Sequence, residues 1–421
     1  MKNILIIPPA NQSGSLGDEA MIRVLLDHCL ENIKDISIDI LLFNKISDWK
    51  NIDGINRGIF IDILDNYDVP EKLNNLNQIL TQYNVVYWLG ADVLDGFYSH
   101  LQASHIVQLV NIAAKNKINT AILGFSFNSQ AAPEVIEELK KLPETVGLNT
   151  RDSTSALNFK DQTGRQPRLV ADLAILLKPS CRQDSSRSLI QKLKYIRKYR
   201  KSLIIGFNIS YPAFRSTFGK IEHILEHSLF LIKKIVNEIN ATIVLIPHDV
   251  RKNIINGEDV SDVNLCNLLK NLLSYHFEDR ILLLSPPYKA SEIKSVCAHL
   301  DFAYSCRMHF SISCLDNSVP VVSVPYQEKF EGLYQLFGIE DLIIDKSIIT
   351  DKGKLSEFII EKIQSRSIYR KQIKKRIHQV RLMAESNFDN LEMYYTNWVR
   401  LRIKIRIVFM TCYSYLKMKF Y

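Results

Sequence analysis

The sequence predicts an α/β protein with two doubly wound parallel sheets, and its hydrophobic pattern leads to this prediction. Short apolar runs of strand length alternate with longer amphipathic stretches, as in repeated βα units. The runs fall in two series, at residues 4–7, 38–43, 85–89 and 120–124, and then at residues 202–206, 242–247, 281–284 and 319–324. The run at residues 243–246 (IVLI) is apolar on both faces, which is typical of a parallel strand covered by helices on each side.

A polar and basic stretch separates the two series of predicted strands. Residues 178–201 include Pro179, a segment rich in Ser, Arg and Gln, and a basic run that ends at Lys201. Such a composition is typical of a linker between domains. We therefore predict an N-terminal domain over residues 1–180 and a second domain over residues 200–345.

The remaining residues, 350–421, are predicted to form a helical basic C-terminal extension. Lys and Arg are dense in residues 366–381, and residues 393–421 contain six Lys or Arg and no Asp or Glu. Basic residues interleaved with aromatic and aliphatic residues suit an anionic membrane surface or a partner. The alternative is a helix that packs across both domains with a solvated basic face.

The composition excludes several classes of protein. An apolar fraction of 47% in 421 residues is ordinary for a soluble globular protein and excludes a disordered or fibrous chain. Lys and Arg exceed Asp and Glu by 53 − 45 = 8, too few by themselves to indicate a nucleic-acid-binding protein. The 7 cysteines are scattered without a CxxC motif, which favours reduced thiols in the cytoplasm. No run approaches the roughly 20 apolar residues of a membrane-spanning helix, and the N-terminus lacks the apolar stretch of a signal peptide.

The first predicted strand leads into a loop of small residues, residues 11–20 (NQSGSLGDEA), which a helical pattern follows. Backbone N–H groups at the start of a helix can bind an anion or a sugar closely. The loop is neither a GxGxxG dinucleotide motif nor a P-loop. The alternative is an ordinary βα turn in which Asp18 and Glu19 interact favourably with the helix dipole.

Glycine and polar residues also follow two later strands of the first domain, in residues 87–96 and 122–128. Ligands of open α/β sheets bind at the carboxyl ends of strands, so these ends together favour a ligand cleft. Arg151 lies beside helix-capping residues, and Asp172 is an isolated acid near the end of the domain. A structural ion pair is an equally open interpretation of Arg151.

The densest candidate site lies in the second domain, where a predicted strand ends at Ser305 and a helix follows. The first turn of this helix carries Arg307 and His309. An arginine fork matches a carboxylate or phosphate, and the helix N-terminus adds partial positive charge. Two cationic groups at a positive helix terminus would repel each other without an anion, which favours an anion site. The alternative is a basic helix end whose histidine is buried and only hydrogen-bonded.

These motifs, in this order, resemble the polysaccharide pyruvyl transferase family over about residues 4–345. They are GSLGDEA (14–20), GFS (124–126), RDSTS (151–155), DLA (172–174), SCRMH (305–309), VP (319–320) and YQEK (326–329). The resemblance implies a fold similar to GT-B glycosyltransferases, with two Rossmann-like domains facing a cleft. It also implies a transferase that takes a pyruvyl group from phosphoenolpyruvate. The implied acceptor is a sugar of a surface polysaccharide (exopolysaccharide) or of its lipid-linked precursor.

The resemblance also implies roles for individual residues. Arg307 and His309 match the donor-binding arginine and histidine of the family, Arg151 matches the arginine of the RDxxS segment, and Lys329 matches the lysine after the VP strand. We expect Arg151, Arg307 and Lys329 to hold the carboxylate and phosphate of phosphoenolpyruvate. We expect His309 to act as the acid or to protonate the departing phosphate, and Asp18 to orient an acceptor hydroxyl. Further substrate-binding residues are expected at Gly14, Gly17 and Ser305.

One loop departs from the family pattern. Residues 90–92 are Gly-Ala-Asp where a glycine pair usually follows the third strand. The added methyl group and carboxylate would narrow the loop and repel an anion, so we expect a specialised acceptor pocket there. No cofactor or metal is expected, because the histidines show no HExxH or comparable spacing.

Two other functions stay open at this point. One is a nucleotide-sugar glycosyltransferase of the same GT-B architecture, and the other is a non-catalytic subunit of a polysaccharide assembly complex. The intact Arg307 and His309 argue against the second. The expected location is the cytoplasm, with the basic tail as the candidate for peripheral contact with the inner face of the membrane.

Overall fold

The computed structural model describes residues 1–44, 47–62, 69–326 and 328–394. They form two compact units. The first unit contains Met1–Asn11, Ile22–Leu173 and the described residues from Arg381 onward, and the second contains Gln12–Met21 and Ala174–Val380. Among the described residues, no helix has both the length and the apolar character needed to cross a membrane.

The first unit is built on a seven-stranded parallel sheet. Its strands are β1 (Lys2–Ile7), β2 (Ile36–Leu42), β3 (Arg57–Phe60), β4 (Val85–Leu89), β5 (Asn119–Phe125), β6 (Gly147–Thr150) and β7 (Arg168–Leu169). Its helices are α1 (Leu16–Asn32, whose first residues through Met21 group with the second unit), α2 (Pro70–Leu80), α3 (His100–Lys115), α4 (Pro133–Lys140) and α5 (Ser153–Thr163). The strand order is β3-β2-β1-β4-β5-β6-β7, and each neighbouring pair is parallel.

The order of the strands reverses between β1 and β4. The chain forms β1, β2 and β3 toward one edge of the sheet, and then adds β4 on the other side of β1. The carboxyl ends of β1 and β4 therefore form a topological switch point. Open α/β sheets bind their ligands at such points. All five residues of β4 are buried, as expected for a central strand covered on both faces. The edge strands β3 and β7 are short and largely exposed, and for that reason they lack the apolar run by which β1, β2, β4 and β5 are predicted.

The second unit repeats this architecture with a five-stranded parallel sheet. Its helices are α6 (Asp184–Tyr195), α7 (Tyr211–Phe218), α8 (Ile221–Glu238), α9 (Asp262–Phe277), α10 (Ala290–Cys297), α11 (Met308–Asp316), α12 (Lys329–Phe337), α13 (Lys352–Gln364) and α14 (Arg366–Glu385). The sheet strands are β8 (Leu203–Phe207), β9 (Ala241–Leu245), β12 (Ile281–Leu283), β13 (Phe302–Ser305) and β14 (Val321–Ser323), while β10 (Ile254–Ile255) and β11 (Glu258–Asp259) form a separate antiparallel pair. The sheet order is β12-β9-β8-β13-β14, which places the switch point between β8 and β13.

The bounds of the two units differ from those of the predicted domains near both ends of the chain. The predicted domains are residues 1–180, 200–345 and 350–421. Gln12–Met21 groups with the second unit, because its backbone pairs with the loop after β9. Helices α13 and most of α14 also belong to the second unit. The segment after α14 returns to the first unit, where Asn387 donates to the carbonyl of Ala171 (2.9 Å) and the Asn390 carbonyl accepts from Asn119 (2.9 Å). The predicted tail, residues 395–421, lies outside the described residues, so its membrane contact stays a prediction.

Candidate functional site

The candidate site lies in the second unit, where β13 passes into α11 at the switch point. The hydroxyl of Ser305 donates to the carbonyl of Arg307 (2.8 Å) and accepts from its N–H (3.2 Å). The N–H of Cys306 donates to the side-chain oxygen of Asn208, which follows β8 (3.2 Å). These bonds fix the backbone that enters α11, so Ser305 positions Arg307 through backbone contacts.

The guanidinium of Arg307 is held by two carboxylates. Its Nε and Nη2 donate to Asp262 at 3.1 and 2.8 Å, and Nη2 lies 3.6 Å from Asp249. Burial disfavours the charged guanidinium, but the charge and hydrogen bonds of Asp262, followed by the charge of Asp249, raise the pKa of Arg307 above its ordinary value. Arg307 therefore stays charged, and its side chain keeps 21% of its surface exposed.

Asp249 also binds a second arginine, Arg251. Arg251 donates to it from Nε (2.9 Å) and Nη2 (2.6 Å). Burial alone would raise the pKa of the Asp249 carboxyl, but the hydrogen bonds of Arg251 and the charge of Arg307 lower it. The four side chains form an ionic network, Arg251–Asp249–Arg307–Asp262, in which two positive and two negative charges alternate.

His248, which precedes Asp249, is buried in the same region. Burial, followed by the nearby charges of His309 and Arg307, lowers the pKa of His248 to about 3. Its backbone N–H donates to Asp262 (3.3 Å). Because its imidazole is neutral in this setting, His248 adds no charge to the ionic network at neutral pH.

The small-residue loop before α1 packs against this network. The carbonyl of Gly14 accepts from the N–H of Val250 (2.9 Å), and Ser15 forms an antiparallel bridge with Asp249. A Cβ atom on Gly17 would lie 2.2 Å from Nδ1 of His309, so a glycine is required for the backbone to approach the imidazole. The two most specific motifs of the sequence, GDEA and SCRMH, therefore meet in one unit.

Two further predicted residues lie in this unit. The charge of Asp18, in the first turn of α1, acts on Arg251 and contributes to raising the pKa of that guanidinium. Lys329, the first residue of α12, is buried with its Nζ 4.8 Å from the ring centroid of Tyr326.

Arg151 lies in the first unit, in contrast to the other predicted residues. Its Nη1 donates to Asp172 (2.8 Å), its Nε donates to Ser126 (2.7 Å), and both charged side chains are buried. This is the structural ion pair that the sequence left open as an alternative. A role of Arg151 in holding the donor stays a prediction.

Sequence reasoning missed the acidic half of the ionic network. It inferred an external anion from the repulsion between Arg307 and His309, whereas Asp262 and Asp249 already supply negative charge inside the protein. The segment PHDVR at residues 247–251 directly follows a predicted strand, and this position was the signal that could have identified Asp249 and Arg251. Asp262 is 45 residues from Arg307 along the chain and carries no such signal.

The described residues contain no group of three or more His, Cys, Asp or Glu side chains placed to hold a metal ion. The chemical groups of the candidate site are two arginine forks, the carboxylates of Asp249, Asp262 and Asp18, a lysine and the imidazole of His309. Arginine forks bind carboxylate and phosphate groups, and an imidazole transfers protons near neutral pH.

Several solved structures share the fold of this chain. MnaA of S. aureus, solved with UDP, has a TM-score of 0.60 at 13% identity, over 94% of this chain and 97% of its own. UDP-GlcNAc 2-epimerase from Neisseria meningitidis, bound to UDP-GlcNAc, has a TM-score of 0.55 at 12% identity, over 93% and 99%. UGT73P12 of Glycyrrhiza uralensis has a TM-score of 0.57 at 9% identity, over 100% of both chains. These similarities concern the fold alone, and they confirm the predicted α/β fold with two Rossmann-like domains of GT-B type.

Sequence comparison identifies the family. No curated protein sequence matches the chain. A family model described as polysaccharide pyruvyl transferase matches residues 16–328, well over half of the 421 residues, and confirms the resemblance stated above. The match covers the GDEA loop and the whole SCRMH segment, and it identifies a transferase with a saccharide acceptor. The chain belongs to the polysaccharide pyruvyl transferase family.

Proposed function

We propose that the protein transfers a pyruvyl group from phosphoenolpyruvate to two hydroxyls of a saccharide, forms a cyclic ketal and releases phosphate. The observation that carries this proposal is the approach of Gly17 to His309 beside Arg307, because it brings the two most specific family motifs to one place. The acceptor belongs to a surface polysaccharide or to its lipid-linked precursor.

The donor-binding part of the proposal rests on the geometry of the two arginines. Arg307 and Arg251 each use the Nε–Nη2 edge for a carboxylate, and no described residue hydrogen-bonds to Nη1 of either side chain. A guanidinium has five donors, so the remaining Nη1–Nη2 edges suit a phosphate and a carboxylate. The N-terminus of α11 adds backbone N–H groups and partial positive charge at the same place.

The two positive and two negative charges of the ionic network cancel. We therefore infer that the network helps to bind the donor mainly by holding the arginine side chains in fixed orientations, and not by an excess of positive charge. Asp262 and Asp249 hold the two forks in fixed directions, so little side-chain entropy is lost when the donor binds. Lys329 then supplies the positive charge that a phosphate ester requires.

In the proposed reaction, two acceptor hydroxyls add one after the other to the same carbon of phosphoenolpyruvate. Protonation of the methylene carbon of phosphoenolpyruvate makes an oxocarbenium-like centre at the carbon that bears phosphate, and one acceptor hydroxyl attacks this carbon and loses its proton. The carbon–oxygen bond to phosphate then breaks, and a second hydroxyl attacks the same carbon and passes its proton to the released phosphate. One donor and one diol give one ketal and one phosphate. His309 delivers the proton to the carbon or to the departing phosphate, and Asp18 orients the acceptor hydroxyl.

A thermal-shift comparison tests the donor. Phosphoenolpyruvate at 100 times its Kd stabilises the folded full-length protein by about 2.7 kcal/mol, whereas UDP and GDP leave its Tm unchanged. Arg307→Ala and His309→Ala each lose the effect of phosphoenolpyruvate. The matched controls Arg200→Ala and His276→Ala change an exposed arginine and an exposed histidine elsewhere in the second unit, and they keep it.

Two outcomes contradict the proposal. Stabilisation by UDP or GDP without stabilisation by phosphoenolpyruvate favours a nucleotide-sugar glycosyltransferase. Equal stabilisation of the wild type and of both site variants by phosphoenolpyruvate removes Arg307 and His309 from the donor site.

Phosphate release from phosphoenolpyruvate in the presence of a panel of free saccharides measures the complete reaction.

A further inference from the structure

The loop after β4 in the first unit exposes two aromatic side chains at the switch point of that sheet. Phe97 is 65% exposed and Tyr98 is 57% exposed. Their rings contact each other edge to face, with centroids 5.1 Å apart and an interplanar angle of 88°. Large aromatic rings normally bury 150–250 Å² each, so two adjacent rings left in solvent require an explanation.

This loop holds the two rings in place. The carboxylate of Asp95 is buried, and it accepts hydrogen bonds from the N–H of Phe97 (2.9 Å) and from the side chain of Asn128 (2.5 Å). Gly96 has a φ of +80°, and a Cβ atom there would lie 2.9 Å from Ala132 and 3.1 Å from the Cα of His100. A buried carboxylate and a left-handed glycine therefore fix the backbone that carries the exposed rings.

Polar side chains lie in this loop and at the start of the helix that follows it. The hydroxyl of Tyr98 donates to Asp92 (3.1 Å), and Asp92 belongs to the loop that departs from the family pattern. Gln102, in the first turn of α3, donates to Asn11, which follows β1 (3.1 Å). Apolar ring surface beside carboxylate and amide groups is suited to a pyranose, which presents C–H groups on its face and hydroxyls at its rim.

We propose that Phe97 and Tyr98 form a platform for one pyranose ring of the acceptor saccharide, with Asp92 as a hydrogen-bond acceptor at its edge. This inference rests on the proposed function, which requires a saccharide acceptor. The ring carries no negative charge, because the carboxylate of Asp92 repels anions. The platform binds the acceptor, while the ionic network of the second unit binds the donor.

The charge of the loop argues against a lipid surface as the occupant. Residues 90–102 (GADVLDGFYSHLQ) contain two aspartates and no Lys or Arg. A loop that inserts aromatic residues into an anionic leaflet usually has cations beside them. The saccharide is therefore the occupant that the chemistry of the loop favours.

Saturation-transfer NMR on the full-length protein tests the platform without requiring turnover. The probes are the methyl pyranosides of glucose, galactose, mannose and N-acetylglucosamine. We expect transfer to the ring protons of at least one probe with the wild type, and binding about tenfold weaker in Phe97→Ala and in Tyr98→Ala. Tyr275→Ala, which removes a 90% exposed aromatic ring in the second unit, is the matched control and keeps the signal.

The outcomes separate this inference from the proposed function. Equal saccharide signals in the wild type and in both platform variants overturn the platform, as does the absence of any signal with the wild type. Binding of the wild type to phosphatidylcholine–phosphatidylglycerol vesicles that is lost in Phe97→Ala also overturns it in favour of a lipid surface. Stabilisation by phosphoenolpyruvate is measured in the same variants and is unchanged, so a failure of donor binding in the wild type counts against the proposed function alone.

Discussion

The switch points of the two units have the same topology and different chemistry. In the second unit an asparagine after the first strand meets the segment that carries Arg307, and four charged side chains form an ionic network there. In the first unit an asparagine after the first strand meets α3, and the neighbouring loop presents two aromatic rings and one carboxylate. One sheet has thus acquired groups suited to an anion, and the other has acquired groups suited to an uncharged ring.

The two arginine–aspartate pairs sharpen this difference. Arg151 and Asp172 keep 3% and 2% of their side-chain surface exposed, whereas Arg307 keeps 21% beside an Asp262 with 1%. Arg151 also donates its Nε to Ser126, so its contacts are made within the unit. An arginine must present an edge to solvent to receive a ligand, so the greater exposure of Arg307 makes its pair with Asp262 the better candidate for ligand binding.

The largest expected effect comes from breaking the buried pair of the first unit. Asp172→Ala leaves the charge of Arg151 without its carboxylate, and we expect the free energy of unfolding to fall by about 3–5 kcal/mol. Denaturant unfolding at neutral pH measures this loss. Asp279→Ala, which removes the exposed partner of Arg200, is the control and changes the free energy of unfolding by less than about 1 kcal/mol.

Next in size is the loss of donor binding in Arg307→Lys. Lysine keeps the charge but cannot bind Asp262 and a donor oxygen in fork geometry, so we expect the Kd for phosphoenolpyruvate to rise about 100-fold, which corresponds to about 2.7 kcal/mol. Calorimetric titration measures the Kd. Arg151→Lys provides the comparison: an equal loss in that variant would show that Arg151 also serves the donor and would break the distinction between the two pairs.

Lowering the pH is expected to destabilise the protein by a similar amount, because His248 is buried as a neutral imidazole. Its pKa is lowered to about 3, so between pH 6.5 and pH 3 the unfolded state binds more protons than the folded state, and stability falls as the pH falls. From pH 7 to pH 5 this histidine contributes a loss of about 2 kcal/mol. His248→Asn is expected to flatten the pH dependence of the free energy of unfolding by that amount, while His276→Asn, at an exposed position, leaves it unchanged. An unchanged slope in His248→Asn would show that its imidazole is not held neutral by burial.

The parts of the molecule that the sequence predicted are those with local signals. The strands β1, β4, β8 and β9 are apolar runs covered on both faces, and the two-domain α/β fold follows from their order. Arg307 and His309 could be chosen as candidate site residues because they follow a strand directly and begin a helix. Asp262 was missed because its contact with Arg307 spans 45 residues and depends on the tertiary fold.

The same limit applies to the N-terminal loop. Residues 12–21 lie in the first domain by their position in the sequence, but the backbones of Gly14 and Ser15 pair with the segment after β9. A pairing between residues 15 and 249 leaves no trace in local composition or periodicity. The sequence therefore predicted the presence of Gly17 and His309 in the site, and the structure was needed to show that one packs against the other.

The smallest expected effect is that of Gly17→Ala, and it tests this contact directly. The new methyl group would lie 2.2 Å from Nδ1 of His309, so either the loop or the imidazole must move, at a cost of about 1–2 kcal/mol in the free energy of unfolding. We also expect the displacement to weaken donor binding, because it moves the imidazole of His309 from its place in the candidate site. Gly353→Ala, in α13, meets its nearest neighbour at 3.3 Å and serves as the matched control, with unchanged donor binding. If Gly17→Ala binds phosphoenolpyruvate as tightly as the wild type does, donor binding does not depend on the close packing of the GDEA loop against His309, and the observation that carries the proposed function loses its force.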